Sequence, residues 1–223
     1  MAENTFSLGA FFARYLPDML KALGTTLQLT GLSLLFGVLI GLVFGVLSVS
    51  RNKALRAIAQ LYIGIIRGLP FIVLLYFIMY GVTSALNIQL PRYAVSVLTL
   101  SMNAGAYLAE IFRGGIEAVP PGQMEAARSL GLPYGKTMTK VILPQAVRIM
   151  IPSFINQFII TLKDTSILSA IGMVELVQQT KLSIAASFES SALWTLCGIM
   201  YIIIITVLSQ LSKHIERRVK NNA

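Results

Sequence analysis

Residues 26–49, TLQLTGLSLLFGVLIGLVFGVLSV, form an apolar run of 24 residues without a charged side chain. A transmembrane helix needs about 20 predominantly apolar residues. Four further runs follow, and together they predict five spans at about 26–49, 69–86, 93–112, 149–171 and 193–211. The chain is therefore predicted to be an all-α integral membrane protein, with residues 1–223 forming a single transmembrane domain.

The composition of the chain excludes a soluble protein. Hydrophobic residues make up 56% of the 223 residues, charged residues only 12%, and the mean hydropathy is +0.76. A soluble domain carries about 25% charged residues, so this chain lacks the polar groups to cover its surface in water. A cytosolic enzyme, a disordered regulator and a disulfide-built secreted module are all excluded, the last because Cys197 is the single cysteine.

The basic residues are distributed unevenly between the predicted connections. Twelve of the 18 Lys and Arg residues fall on one side of a five-span chain and four on the other, while Arg67 and Lys163 lie at membrane depth or near its edge. Basic residues concentrate in cytoplasmic loops. We therefore expect the N-terminus outside and the C-terminus in the cytoplasm, and the net charge of +9 reflects this topology instead of nucleic-acid binding.

Two segments next to the spans are predicted to lie on the membrane surface. Residues 57–66 form a helix at the inner surface, and Pro70 separates this helix from the second span, whose limits the pattern leaves open. Residues 6–23 are aromatic and apolar with interspersed charges, which predicts a helix on the outer surface. The first 24 residues show no basic n-region or small-residue cleavage site, so a removed signal peptide is not expected.

The connection at about 113–148 is far longer than a loop that merely joins two spans. Pro120 and Pro121 precede a run of good helix formers at 123–130, and Gly131 provides a stop. A second short helix is expected at about 134–142, ending at Leu143-Pro144. Such helices either fill the membrane surface or dock onto a soluble partner.

The residues of this connection resemble a known motif. Glu125-Ala126-Ala127, then Gly131, then Val141-x-Leu143-Pro144 are similar to the EAA loop of ABC-transporter permeases, with Val141 in place of the usual Ile. The flanking motifs resemble the polar amino acid import permeases of the histidine, glutamine, arginine and cystine type. These motifs are Arg67-Gly68-Leu69-Pro70, Ala106-Tyr107-x-Ala109-Glu110-x-x-Arg113-Gly114, Gly122-Gln123 and Lys163-Asp164-Thr165-Ser166.

The resemblance implies a permease subunit of an ATP-driven importer in a bacterial-type inner membrane. Two such subunits, identical or closely related, surround the pathway, with two cytoplasmic ATP-binding subunits and an outer amino-acid-binding protein. The partner ATPase binds ATP-Mg, so this chain has no cofactor and is not an enzyme. The 120–144 loop couples to the ATPase through Glu125, Ala126, Ala127, Gly131, Leu143 and Pro144.

Polar side chains within two spans are candidates for the substrate pathway, because such groups are costly in lipid. Asn103 lies near the midplane of the third span. Gln157, Thr161 and Asp164 share one face of the fourth span. We expect Asp164 to receive an α-ammonium group, while Asn103 and Gln157 hydrogen-bond the carboxylate or side chain of a zwitterion.

Some of these residues have a second interpretation. Asn156 and Lys163 form an adjacent stripe, and the Lys163–Asp164 region would pair with lipid headgroups if it lay at the outer interface. Arg67 is interpreted as a structural anchor in preference to a ligand. Since Asp164 is the single acid on its face, a neutral polar amino acid is favoured over a cationic one.

Other chemistry has little support in the sequence. The stretch from Gly131 to Gly135 resembles a phosphate-binding loop but has three residues between its glycines, where four are required. His214 lies among charges at the C-terminal end, and we expect no metal site and no catalytic residue. A non-transporting sensor or scaffold, and a pore acting alone, are the alternatives to a permease.

Overall fold

The computed structural model describes residues 7–50 and 52–221, with side chains described up to residue 214. Every regular element in these ranges is helical. The helices are α1 (Leu8–Ser48), α2 (Lys53–Gly68), α3 (Phe71–Ala85), α4 (Arg92–Glu117), α5 (Pro121–Ser129), α6 (Tyr134–Ile171), α7 (Leu176–Ser187) and α8 (Ser190–Asn221).

Four of the described helices are long and apolar enough to cross a membrane, namely α1, α4, α6 and α8. The bent pair α2 and α3 supplies a fifth span if it counts as one. The predicted all-α membrane fold is therefore confirmed, and each of the four long helices extends beyond the span expected from hydropathy.

The first helix runs unbroken for 41 residues, so the predicted separate surface helix at 6–23 is wrong; Phe6 lies outside the described residues. Phe11, Tyr15 and Met19 recur every four residues and are buried. Their neighbours are apolar side chains of α7 and α8, among them Leu176 and Leu193. This face of α1 therefore packs against protein, because two later helices cover it.

The predicted break at Pro70 separates α2 from α3, whose axes differ in direction by 105°. A proline restricts the preceding residue to extended conformations, and Leu69 has φ −96° and ψ 138°. At its other end, α2 is capped by Asn52, whose side-chain oxygen accepts a hydrogen bond from the Ala54 N–H at 2.9 Å.

The most extensive contact between described helices joins α1 to α4. Gly37, Gly41 and Gly45 are buried at this contact, and a Cβ atom on Gly41 would lie 2.6 Å from the Cβ of Leu108. Small residues permit such close approach of helices in lipid. The four-residue spacing of these glycines therefore serves packing within the chain.

The connection between α4 and α6 is shorter than the predicted 113–148. Helix α4 continues to Glu117, and α6 begins at Tyr134 and runs through Leu143 and Pro144 to Ile171. The predicted helix end at Leu143-Pro144 is wrong. A π-helical turn at Met138–Ile142 directly precedes these residues, and a wider turn of this kind relieves the clash and the missing hydrogen bond that a proline imposes. The end of the bundle that carries residues 118–133 is called the loop end below.

Helix α7 was not predicted from the sequence. Its N-cap is Glu175, a fully buried carboxylate that accepts hydrogen bonds from the N–H groups of Val177 and Gln178. The Leu176 N–H donates to the hydroxyl of Thr26 at 3.2 Å, which ties the start of α7 to α1. A short helix is thus held in place by contacts far apart in sequence.

Candidate functional site

The predicted pathway residues form two separate pairs. The Asn103 amide on α4 donates to a carboxylate oxygen of Asp164 on α6 at 3.3 Å. The Gln157 amide donates to the hydroxyl of Thr161 at 3.3 Å, within α6. The structure therefore brings Asn103 and Asp164 together across two helices, while Gln157 and Thr161, which precede Asp164 along α6, satisfy each other.

These residues lie largely inside the chain. Asn103, Gln157 and Thr161 are buried, and Asp164 is partly exposed. The exposed face of α6 is instead the neighbouring one, which carries Ser153, Asn156, Ile160 and Lys163. Of the predicted strip, Asp164 is therefore the member with the most access from outside the chain.

A cavity of about 690 Å³ lies between α4 and α6 and opens to the surface. Ligand sites for small molecules have volumes of about 300–1,000 Å³, so this α4–α6 cavity has the size of an amino acid site. Its wall combines apolar side chains with a few polar ones. The polar side chains of this wall include Arg67, Tyr107, Glu110, Asn156 and Gln157.

Arg67 on α2 contacts α4 at the edge of this cavity. Its guanidinium lies 3.4 Å from a Glu110 carboxylate oxygen and 5.2 Å from the ring centroid of Tyr107. This is the geometry expected for an anchor, the role assigned to Arg67 from the sequence. The same side chain also lines the cavity, where it is 40% exposed.

Glu110 belongs to a chain of charges that the sequence reasoning missed. Arg113 donates to both carboxylate oxygens of Glu110, at 2.7 and 3.3 Å, and also to Glu117 at 2.7 Å. The spacings of three and four residues along one helix were the available signal. Together with Arg67 these residues make a network, called the α2–α4 charge network below, that runs from the α2–α3 bend to the end of α4.

The predicted coupling residues lie at the loop end. On α5, Glu125 and Ala126 are exposed and Ala127 is buried, and the next residue after the helix cap, Gly131, has φ +84°. Leu130 is 84% exposed.

Leu143 and Pro144 also lie on the surface, but on α6. The amide of Gln145 in the same helix donates to the side-chain oxygen of Gln123 on α5 at 3.4 Å. This bond links α5 to α6, so the predicted coupling residues belong to two helices in contact. Within the described residues, no three His, Cys, Asp or Glu side chains meet as metal ligands would.

Comparison with known proteins identifies the family of this chain. Residues 37–221 match the family described as the inner membrane component of binding-protein-dependent transport systems. The chain belongs to this family. The resemblance to polar amino acid ABC permeases, predicted from the motifs, is confirmed by relatives and by a solved structure.

Among the relatives, the glutamine transport system permease protein GlnP of Escherichia coli is 36% identical over 206 residues, covering 92% of this chain and 94% of GlnP. The arginine transport system permease protein ArtQ of Bacillus subtilis is 31% identical over 207 residues, covering 93% and 94%. The L-cystine transport system permease protein TcyB of Bacillus subtilis is 37% identical over 194 residues, covering 86% and 82%.

A solved structure described as an amino acid ABC transporter with histidines superposes with a TM-score of 0.91 at 35% identity, covering 96% of this chain and 99% of the other. The methionine transporter MetNI, at 22% identity and a TM-score of 0.78, shares the fold. The family member described here is thus a multi-pass inner-membrane permease subunit of an ABC importer, and its relatives are transport subunits instead of enzymes.

Proposed function

We propose that this permease carries a polar amino acid across the membrane as one of two permease subunits driven by partner ATPases. The relatives described above are named as transport proteins for arginine, glutamine or cystine. The α4–α6 cavity supports this substrate class because it combines the right volume with carboxylate, guanidinium and amide groups.

The exposed polar face of α6 is the observation that supports a dimer of permease subunits. Asn156 and Lys163 are exposed on a helix long enough to span the bilayer. Polar and charged groups within a span face a protein partner or a water-filled cavity, because contact with lipid is costly. A second permease subunit, identical or closely related, covers this face and completes the pathway between the two copies.

Within that pathway, Asp164 is the first group that the amino acid meets on α6. We assign its carboxylate to the α-ammonium group, with Asn103 holding it in position through the 3.3 Å hydrogen bond. Gln157 and Thr161 follow toward the loop end, where Gln157 lines the cavity. Their amide and hydroxyl groups exchange a mutual hydrogen bond for one to the substrate.

Helix α5 is the docking element for a cytoplasmic ATPase subunit. Glu125, Ala126 and Leu130 are exposed, and the small side chain of Ala126 permits close approach of a partner backbone. Leu143 and Pro144 extend this surface onto α6. ATP-Mg binds to the two ATPase subunits, and their closure moves α5 and, through α6, the pathway residues.

This assignment places the loop end in the cytoplasm, the N-terminus outside and the C-terminus inside. An outer amino-acid-binding protein then delivers substrate to the opposite end of the bundle. The distribution of Lys and Arg supports this orientation.

The deciding experiment reconstitutes the permease with its ATPase and binding-protein partners in proteoliposomes. Labelled L-glutamine, L-cystine and L-arginine are offered with and without ATP. We expect ATP-dependent accumulation of at least one of them. Equal uptake of the labelled amino acids with and without ATP would indicate a pore. No uptake under either condition would indicate a non-transporting scaffold.

A further inference from the structure

The Arg67–Glu110 ion pair stands between two cavities. Glu110 lines the α4–α6 cavity and also a second cavity of about 740 Å³ at the loop end. Ser48, Arg56 and Gln60 line only the second one. Glu110 therefore lies in the wall between the two cavities, and Arg67, which lines only the α4–α6 cavity, contacts it from that side.

The two contacts of the Glu110 carboxylate differ in strength. Arg113 holds it through two nitrogens, at 2.7 and 3.3 Å, and bidentate pairs of this kind are strong and directional. Arg67 approaches a single oxygen at 3.4 Å with a side chain that is 40% exposed. When the pair separates, Arg67 is therefore the partner that leaves, and Glu110 stays with Arg113.

Arg67 also sits next to the bend between α2 and α3. Gly68 follows it as the last residue of α2, and the 105° bend at Leu69-Pro70 comes next. A Cβ atom on Gly68 would have no neighbour within 4 Å, so no atom packs against this position beside Arg67. The guanidinium already lines the cavity, so a rotation of its side chain is enough to turn it from Glu110 toward a ligand there.

We propose that Arg67 changes its ion-pair partner during transport, from the carboxylate of Glu110 to the α-carboxylate of the transported amino acid. In the closed state Arg67 pairs with Glu110 and keeps the wall between the two cavities closed. An arriving substrate supplies a carboxylate of the same chemistry, which a guanidinium binds through two parallel hydrogen bonds. The exchange opens the wall only when an α-carboxylate is present, whatever the side chain. This proposal rests on the proposed function, since it takes an amino acid as the substrate.

The test measures equilibrium binding of labelled L-glutamine, L-arginine and L-cystine to the assembled permease–ATPase complex in nanodiscs, without binding protein. Arg67→Gln removes the carboxylate site, and we expect binding about tenfold weaker. Glu110→Gln removes the competing carboxylate, so binding is expected to become about threefold tighter. An anchor alone would make both variants change binding in the same direction.

Two matched controls accompany these variants. Glu117→Gln removes a carboxylate from the same network without touching Arg67, and Arg56→Gln removes a guanidinium from the loop-end cavity; both should bind as the unmodified complex does. Arg67→Lys keeps the charge without the planar fork and should be intermediate, which also serves if Arg67→Gln fails to assemble.

The outcomes separate this proposal from the proposed function. One outcome is that the unmodified complex takes up an amino acid but Arg67→Gln binds it unchanged; another is that the complex shows no binding without the binding protein. Either outcome would contradict the partner exchange at Arg67 and leave the proposed importer function intact. If the unmodified complex neither binds nor transports any of the three, both proposals fall.

Discussion

Asn103 and Asp164, 61 positions apart in sequence, are joined across α4 and α6 by a hydrogen bond of 3.3 Å. The amide N–H is the donor, so the carboxylate keeps acceptor capacity for a second group. The partly exposed side of Asp164 is where an ammonium group can reach that capacity.

Replacing Asp164 with Asn removes the charge and keeps the shape. A hydrogen bond to a charged group contributes about 1.5–3 kcal/mol, so we expect substrate uptake to fall by about tenfold to a hundredfold. The measurement is the initial rate of ATP-dependent uptake by reconstituted complexes. Asp18→Asn makes the same chemical change at an exposed position of α1 and should leave that rate unchanged. Equal rates for the two variants would remove Asp164 from the pathway.

The charge of the substrate is predicted from the groups around Asp164. It is the single acid on its face of α6, and the exposed Lys163 beside it adds a positive charge to the surface. A second cation on the substrate would lack a partner, and burying an unpaired charge costs several kcal/mol. We therefore expect uptake of neutral polar amino acids to exceed that of arginine or lysine, and Gln157→Glu to raise uptake of the cationic ones. Strong arginine uptake without any gain from Gln157→Glu would contradict this argument.

Gly131 ends α5 with a positive φ, which an L side chain adopts only with strain. Gly131→Asp, and Glu125→Lys on the exposed face, are expected to lower transport per ATP hydrolysed while the permease still inserts. The measurement compares uptake with ATPase activity in the same proteoliposomes. Gly135→Ala is the control, because it lies nearby, has no positive φ and has open space around a new Cβ atom. Normal coupling in both loop variants would show that α5 is not the docking element.

Close packing of α1 on α4 makes Gly41 sensitive to size. A Cβ atom there would come within 2.6 Å of the Leu108 Cβ, so Gly41→Ala forces the helices apart. Overpacking typically costs about 1–3 kcal/mol, and we expect a lower midpoint of thermal unfolding in detergent. Gly31→Ala on the same helix meets nothing within 4 Å and should match the unmodified protein. An unchanged midpoint for Gly41→Ala would mean that this contact does not limit stability.

Orientation is tested by labelling single cysteines in a Cys197→Ser background. Asn4→Cys and Asn221→Cys introduce thiols at the two ends of the chain, where no side chain is described. An impermeant maleimide should modify position 4 in intact cells and position 221 only after permeabilisation. The opposite pattern would place the loop end outside and exclude α5 as a contact of a cytoplasmic ATPase.

The sequence predicted those features that depend on local chemistry. Apolar runs located the spans because the bilayer demands them, and Pro70 marked the break because proline restricts its neighbour. The burial of Tyr15 and Met19 was not predictable, since it depends on α7 and α8 folding back onto α1. For the same reason a helix period placed Gln157, Thr161 and Asp164 on one face but did not reveal which of them Asn103 would meet.

The α2–α4 charge network also has a part that depends on local sequence and a part that depends on tertiary structure. Glu110, Arg113 and Glu117 stand at helical spacing and were legible as a local series. The contribution of Arg67 depends on where the bent α2–α3 pair directs its guanidinium, which no periodicity encodes. Tertiary structure decided which charge completed the series.

The buried cluster that joins α1 to α8 has a consequence for biogenesis. Tyr15 and Met19 belong to the same cluster as Leu193 and Met200, which are synthesised almost a whole chain length later. At about 5–20 residues per second, the first helix waits in the bilayer for roughly 10–40 seconds before its covering side chains have left the ribosome. The addition of α8 to this cluster is thus a late step of assembly. A polypeptide truncated before Ser190 keeps α7 but lacks α8, so part of the aromatic face of α1 stays uncovered and open to the cell's quality-control proteases.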